Sequence, residues 1–234
     1  WLNDREFGPQ PTPRPTTTPL SVTPSGGAPS GSAGGGEVLM TLFEATGLES
    51  LAVLPTGAQP LVAAGLCPGG NPGDRDCADG EIRIWAMDTG TLQFTLPWHG
   101  GVLAFSPDGS MLAAATCTGR DGLACVSSSI VLPDWSNGEL LQEIEHPSRV
   151  YSLRFTPDSQ QVAGLVCVEE GEYYCLETAV QLWNASTGSP GRRFEDLTPW
   201  APFAVVSLPQ GDVLVAPHCL TREAGDTCSE AEVT

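Results

Sequence analysis

The chain has 234 residues and carries 10 Lys plus Arg against 28 Asp plus Glu, a formal net charge of −18, which excludes the polyanionic backbone of nucleic acid as a natural partner. All ten basic residues are Arg, and without Lys neither Schiff-base chemistry nor a Walker-type phosphate site can be built. Hydrophobic residues reach 41%, enough for a core, while 27 Gly and 21 Pro point to many turns and few helices.

In chain order, residues 1–7 (WLNDREF) read as the tail of an upstream segment, because the chain opens on Trp rather than Met. No apolar run approaches the ~18 residues of a membrane span, and nothing resembles a signal peptide. A membrane connection is therefore expected only through a segment outside this sequence. Residues 8–36 follow, and 23 of these 29 are Pro, Gly, Ser or Thr. Such a stretch cannot bury a core and reads as a disordered linker. Its PQPTPRPTTTP half is stiff and polyproline-like, its GGAPSGSAGGG half flexible, and a random-coil estimate gives a reach of roughly 30 Å. Tethers of this composition hold a domain away from a membrane, a wall or a second domain, and are often O-glycosylated where that machinery exists.

From residue 37 to 234 the chain repeats itself. Turn prolines sit in VLPTG (Pro55), FSPDG (Pro107), FTPDS (Pro157) and SLPQG (Pro209), and the leading cysteines are Cys67, Cys117, Cys167 and Cys219. Trp85, Trp135 and Trp183, each followed by a DTG, SNG or STG turn, are a third marker. All share a period near 50, which divides the domain into units of about 37–96, 97–144, 145–195 and 196–234. Within a unit, runs such as VLAF, MLAAAT, SIVLPDW and ELLQEI are bounded by Gly, Pro, Asn and Asp, the pattern of four short strands. One four-stranded sheet of this size cannot bury both faces, and radial stacking of such sheets solves the problem. The expected fold is all-β, a β-propeller of antiparallel blades.

The segments AFSPDGSMLAAA (104–115), RFTPDSQQVAGL (154–165), EIRIWAMDTGTLQFTL (81–96) and VQLWNASTG (180–188) resemble the WD-repeat (Trp-Asp repeat) β-propeller family. The resemblance covers residues 37–234 and departs in detail. Trp is followed by Ala86, Ser136 and Asn184 instead of Asp, and the Gly-His pair is reduced to Trp98-His99-Gly100 and Glu145-His146. The family's buried His, Ser, Asp and Trp network is thus expected to be partial, with another crosslink in its place. In the family one early strand closes the last blade. EVLMTL (37–42) aligns with the outer strands, while the final unit stops at SEAEVT, so the expectation is an incomplete ring that forms part of a larger one rather than a closed four-bladed ring.

Eight cysteines permit 105 connectivities. Repeat symmetry pairs Cys67 with Cys77, Cys117 with Cys125, Cys167 with Cys175 and Cys219 with Cys228, each pair clipping the loop between second and third strands. Zinc is the rival, but it prefers close CxxC-type pairs that these spacings do not supply. Four such disulfides would place the domain in an oxidising, extracytoplasmic compartment: secreted, periplasmic or cell-surface.

The loop Gly73–Glu81 holds four carboxylates and reads as a solvated acidic hairpin, with calcium ligation as the rival. The loop Glu169–Tyr174, with Tyr173 and Tyr174, and the rim residues Trp98 and Trp200 form a candidate binding surface. Trp85, Trp135 and Trp183 read as blade core on the third strand, and His99, His146 and His218 as turn or packing residues. Asn184-Ala185-Ser186 matches a glycosylation sequon at a tight turn. No catalytic, cofactor or metal constellation is expected, since neither GxSxG nor HExxH occurs. The sequence therefore predicts a non-enzymatic interaction or scaffold module with a protein or glycan partner. The alternative is the extracytoplasmic sensor of a larger membrane protein, such as a bacterial receptor-type Ser/Thr kinase.

Overall fold

The computed structural model describes residues 47–54, 60–67, 80–121, 124–170, 175–197, 202–208, 211–222 and 228–233. The segments 1–7, 8–36 and 37–42 lie outside the described residues. All regular structure among the described residues is β-strand. Blade 1 consists of β1 (Leu48–Leu54), β2 (Leu61–Leu66), β3 (Glu81–Ala86) and β4 (Leu92–Leu96). Blade 2 consists of β5 (Val102–Phe105), β6 (Leu112–Asp121), β7 (Ala124–Asp134) and β8 (Glu139–His146). Blade 3 consists of β9 (Val150–Phe155), β10 (Gln161–Glu170), β11 (Cys175–Asn184) and β12 (Pro190–Leu197). In all three, antiparallel strands lie side by side in sequence order.

The blades stack through their innermost strands, with β5 beside β1 and β9 beside β5. This explains the residue choice along each strand. The first half of β6 (LAAAT) is a nearly continuous apolar run of small residues because it lies between blades 1 and 3, and β2 (LVAAGL) is one because blade 2 covers Leu61 and Ala63 on one face while Trp85 of its own blade packs with Ala64 and Leu66. The outer strands β4 and β8 instead alternate between buried and exposed positions. One core joins Ala52, Leu54, Ala63 and Ile84 of blade 1 to Leu103, Phe105 and Leu112 of blade 2. A second joins Ala113, Ile130 and Leu132 of blade 2 to Leu153, Phe155, Val162 and Trp183 of blade 3.

The fourth unit departs from the four-stranded expectation. It gives β13 (Ala204–Leu208), β14 (Gly211–Val215), β15 (Pro217–Arg222) and β16 (Cys228–Val233). Here β14 and β15 together occupy the second-strand position, split at Ala216. β14 pairs with β13, whereas β15 pairs with β16 and bridges to β12 through Leu197 and His218. Phe203, Val205, Leu214 and Ala216 pack onto Ala163, Leu165 and Val180 of blade 3.

The turns between first and second strands of blades 2 and 3 share a set of hydrogen bonds. In blade 2 the Ser106 hydroxyl donates to Asp108 Oδ1 (2.7 Å), which also accepts from the Ser110 N–H (2.9 Å), and Met111 N–H donates back to Ser106 Oγ (2.8 Å). In blade 3 Thr156, Asp158, Gln160 and Gln161 make the same three bonds at 2.6, 2.9 and 2.9 Å. Each turn has one left-handed residue, Gly109 (φ 74°) in blade 2 and Ser159 (φ 61°) in blade 3.

Trp135 is not a third-strand residue. Val62 pairs with Trp85 and Val162 with Trp183. In blade 2, continuing the register two residues beyond Ala114↔Val131 puts Pro133 opposite Leu112. Pro133 is fully buried, and Trp135 lies beyond β7 in the following turn. There its Nε1–H donates to the Gly109 carbonyl (2.9 Å), and its ring meets Phe94 and Phe105 edge-on at 5.5 and 6.3 Å. The indole thus fills the blade 1–blade 2 boundary from the turn, and proline, which has no N–H to give, takes the ladder position next to a register shift.

Candidate interaction face

Strand direction sorts the connections into two sets. The first-to-second and third-to-fourth turns lie at one end of the sheets. The second-to-third hairpins lie at the other, together with the turns that carry the chain from one blade to the next. At that second end β6–β7 and β10–β11 run well past the inner strands that flank them, and their registers coincide. Cys117 lies opposite Ser128 and Arg120 opposite Cys125, while Cys167 lies opposite Thr178 and Glu170 opposite Cys175. In the fourth unit Cys219 lies opposite Ala231 and Arg222 opposite Cys228, the same offsets. All three hairpins have two register shifts at the same place.

Within these bulged hairpins Cys117–Cys125 and Cys167–Cys175 are disulfides, with Cα–Cα distances of 5.9 and 5.8 Å. Cys67 is also disulfide-bonded. Cys77 and the side chains of Cys219 and Cys228 lie outside the described residues. A bulge leaves ladder groups unpaired and bends the hairpin; a covalent clip at that point fixes the bend. Within the clipped segments, Val126 and Val168, each next to a bridged cysteine, are 42% and 39% exposed, and Thr118, Asp121 and Glu169 are exposed as well. Each of the two hairpins thus exposes one valine and at least one carboxylate among the described residues.

The same end holds two histidines placed between blades. His99, in the turn from β4 to β5, joins Thr116 of β6 (Nδ1 to Oγ1, 2.6 Å) and Glu49 of β1 (Nε2 to Oε2, 2.5 Å). Because a carboxylate can only accept, Nε2 carries the proton, and in the neutral ring Nδ1 accepts from the Thr116 hydroxyl. The adjacent Ser50 hydroxyl donates to the Gly100 carbonyl (2.5 Å). His146, at the end of β8, stands edge-on to Trp183 (centroids 5.5 Å apart, planes at 87°) and lies 3.2 Å from Ser148 Oγ, which donates to the Cys167 carbonyl (2.7 Å). Burial pushes the His146 imidazole below its usual range, the nearby Arg193 adds to the effect, and the Ser148 contact opposes it. The two histidines thus tie neighbouring blades, His99 through a carboxylate–imidazole–hydroxyl chain between blades 1 and 2 and His146 through an imidazole on an indole between blades 2 and 3.

At the opposite end, burial alone would raise the Asp108 carboxyl, but hydrogen bonds from the Ser110 N–H and from the Ser106, Ser110 and Ser159 hydroxyls hold it below its ordinary value. The Asp158 carboxyl is lowered chiefly by the Thr156 hydroxyl and then by the Gln160 N–H.

Of the other residues singled out by sequence, Trp98 is half-buried and packs against the blade 1–blade 2 core, so it supports the rim more than it displays itself. Trp200, Tyr173, Tyr174 and most of the acidic loop 73–81 lie outside the described residues. Asn184 uses Oδ1 to accept from the N–H groups of Ser186 and Thr187 (3.1 and 2.9 Å), so the sequon doubles as a turn cap. Among the described residues no group of three or more His, Cys, Asp or Glu side chains is placed to hold a metal, and no helix is long and apolar enough to cross a membrane.

Residues 90–126 match the WD domain, G-beta repeat. The WD repeat and SOCS box-containing protein 1 of Takifugu rubripes is 31% identical over 113 residues, 45% of this chain and 22% of that protein. The periodic tryptophan protein 2 homolog of Schizosaccharomyces pombe is 30% identical over 132 residues, 50% of this chain and 13% of that protein. The chain thus spans less than a quarter of the length of these curated relatives. Among solved structures, the β-propeller domain of Myceliophteria thermophila Cps50 (Swd1) overlays with a TM-score of 0.50 at 17% identity, covering 81% of this chain and 56% of that one. Repeat period, blade architecture and matched repeat agree: the chain is an arc of β-propeller blades similar to those that WD repeats build.

Proposed function

We propose that this chain is a non-catalytic protein-interaction module that works in an oxidising, extracytoplasmic compartment and docks its partner on the clipped hairpin end. The observation that carries this reading is the recurrence, in one register, of bulged hairpins that project past the blades and bear disulfides. The opposite end is closed by compact hydrogen-bonded turns. A covalent clip on a projecting hairpin reduces the conformational freedom lost on binding, so each hairpin meets a partner already shaped. Disulfides persist where thiols are not kept reduced, which supports the compartment.

A photo-crosslinking residue placed at Val126 or Val168 in the native host tests the reading. Discrete adducts are expected from these positions and none from Asn137, in an opposite-end turn. Equal adducts from all three positions, or none from the hairpins, would overturn it. The second reading, the sensor domain of a larger membrane protein, is favoured by the Pro/Thr-rich segment 8–36. A membrane span and a kinase domain in the same reading frame would establish it.

A further inference from the structure

The turns after the third strands of blades 2 and 3 are built on one plan. Asp134 and Asn184 each stand four residues before a left-handed glycine and accept its N–H on their carbonyl, from Gly138 at 2.8 Å and from Gly188 at 2.9 Å. Each side chain also caps its turn through Oδ1, which accepts from the N–H and the hydroxyl of the serine two places on. These bonds are 2.9 and 2.6 Å from Ser136, and 3.1 and 2.8 Å from Ser186. The two side chains differ in their second polar atom. Asp134 Oδ2 accepts from Asn137 Nδ2 at 3.0 Å. The corresponding atom of Asn184 is the amide nitrogen, because the N–H groups of Ser186 and Thr187 converge on the other atom and only an oxygen can accept them. That Nδ2 has no hydrogen-bond partner among the described residues and is not buried, and Ser186, Thr187 and Ser189 beside it are exposed. The turn thus needs only an oxygen from this position, which aspartate supplies in blade 2, and the nitrogen is left open to solvent with no structural task.

Asn184-Ala185-Ser186 is an acceptor sequence for N-linked glycosylation, with no proline at its middle position. We propose that Asn184 carries an N-linked glycan, an inference that rests on the extracytoplasmic compartment argued above. In the transfer, Nδ2 bonds to the anomeric carbon of a lipid-linked glycosyl diphosphate. The bond from that carbon to the diphosphate oxygen breaks, the diphosphate leaves with the electron pair, and the amide gives up one proton. Oδ1 keeps its lone pairs, so the cap survives the modification. The Ser186 hydroxyl, the third element of the acceptor sequence, is held against the same carboxamide. The turn lies at the end opposite the clipped hairpins, so a bulky, solubilising glycan there leaves the proposed docking end free.

Glycopeptide mass spectrometry of the protein isolated from its native host tests the proposal. The peptide containing Asn184 is expected to be heavier by an oligosaccharide and to shed sugars one by one on fragmentation. Ser186→Ala removes the acceptor hydroxyl but keeps both N–H donors to Oδ1, and Asn184→Asp keeps the cap in the form that blade 2 uses. Each is expected to abolish the added mass in a chain that circular dichroism shows to be folded, whereas Ser186→Thr retains it. The same digest reads the cysteine pairs and so separates this inference from the compartment on which it rests. An unmodified Asn184 in a protein with intact 117–125 and 167–175 disulfides would overturn the glycan and leave the compartment standing. An unmodified Asn184 beside free thiols would remove both. Sugar found only on residues 8–36, or added mass on the Asn184 peptide that persists in Ser186→Ala, would likewise refute the assignment.

Discussion

The Asp108 N–H donates to the hydroxyl of Ser159 at 3.2 Å, which ties the first turn of blade 2 to the first turn of blade 3. Ser159 is buried and sits in the left-handed region at φ 61°, where blade 2 has Gly109. A non-glycine residue there costs roughly 1 kcal/mol, and the cross-blade bond offsets part of that cost. Ser159→Ala keeps the strain and loses the acceptor, and should destabilise by about 1 kcal/mol in urea unfolding. Ser159→Gly loses the bond but relieves the strain and should fall between alanine and wild type. If alanine matched wild type, the bond would contribute nothing.

The period and the strand order were legible because the turn prolines and the cysteines repeat independently, and because buried inner strands need small apolar runs such as LVAAGL. The contacts across blades were not. Asp108 and Ser159, Ser50 and Gly100, and Glu49 and His99 each lie about one period apart and meet at a blade boundary. Hydropathy patterning reports which face a residue takes within its own blade, and it has no access to the polar partner supplied by the next. Trp135 misleads for a related reason. Its spacing from Trp85 is one period, yet it stands three residues before Gly138 where Trp85 stands five before Gly90, so the indole reaches the boundary from the turn. The distance to the turn glycine was the available signal.

Gly164 of β10 lies against the Trp183 ring, and a Cβ at that position would come within 2.8 Å of Cζ3 and 3.3 Å of Leu153 Cδ2. Trp183 and Leu153 are buried in the blade 2–blade 3 core, so neither can swing into solvent. Gly164→Ala is therefore expected to destabilise by about 1–3 kcal/mol, as overpacking does. Glycine in a strand ordinarily costs stability relative to alanine, so the opposite sign is expected for a site without the ring. A neutral or stabilising result in thermal unfolding would show that Trp183 can re-pack.

Each clipped hairpin joins cysteines 8 residues apart. The chain-entropy estimate for closing so short a loop is about 2.5 kcal/mol. Cys117→Ser with Cys125→Ser, and separately Cys167→Ser with Cys175→Ser, should each lower stability by about that amount. The two losses should add, since the hairpins belong to different blades. Non-reducing peptide mass spectrometry of the wild type should show the 117–125 and 167–175 pairs. A digest in which either pair is scrambled or reduced would remove the basis for the compartment argument.

His146 provides a pH dependence of defined sign. Burial lowers its affinity for protons in the folded chain, aided by Arg193, while the unfolded chain titrates near the ordinary histidine value of 6.5. Between those two values the unfolded state holds the extra proton, so stability is fully present above about pH 6.5 and falls as pH drops towards the folded value. Below the folded value the loss from this group is complete. The Asp108 and Asp158 carboxyls, lowered in the folded state, add a separate loss only as pH falls below their ordinary value of 3.8. Urea midpoints between pH 7.5 and 5 should therefore decline in the wild type, and His146→Asn should flatten that decline while leaving the change below pH 4 in place. A decline of equal slope in the variant would assign the effect to another group.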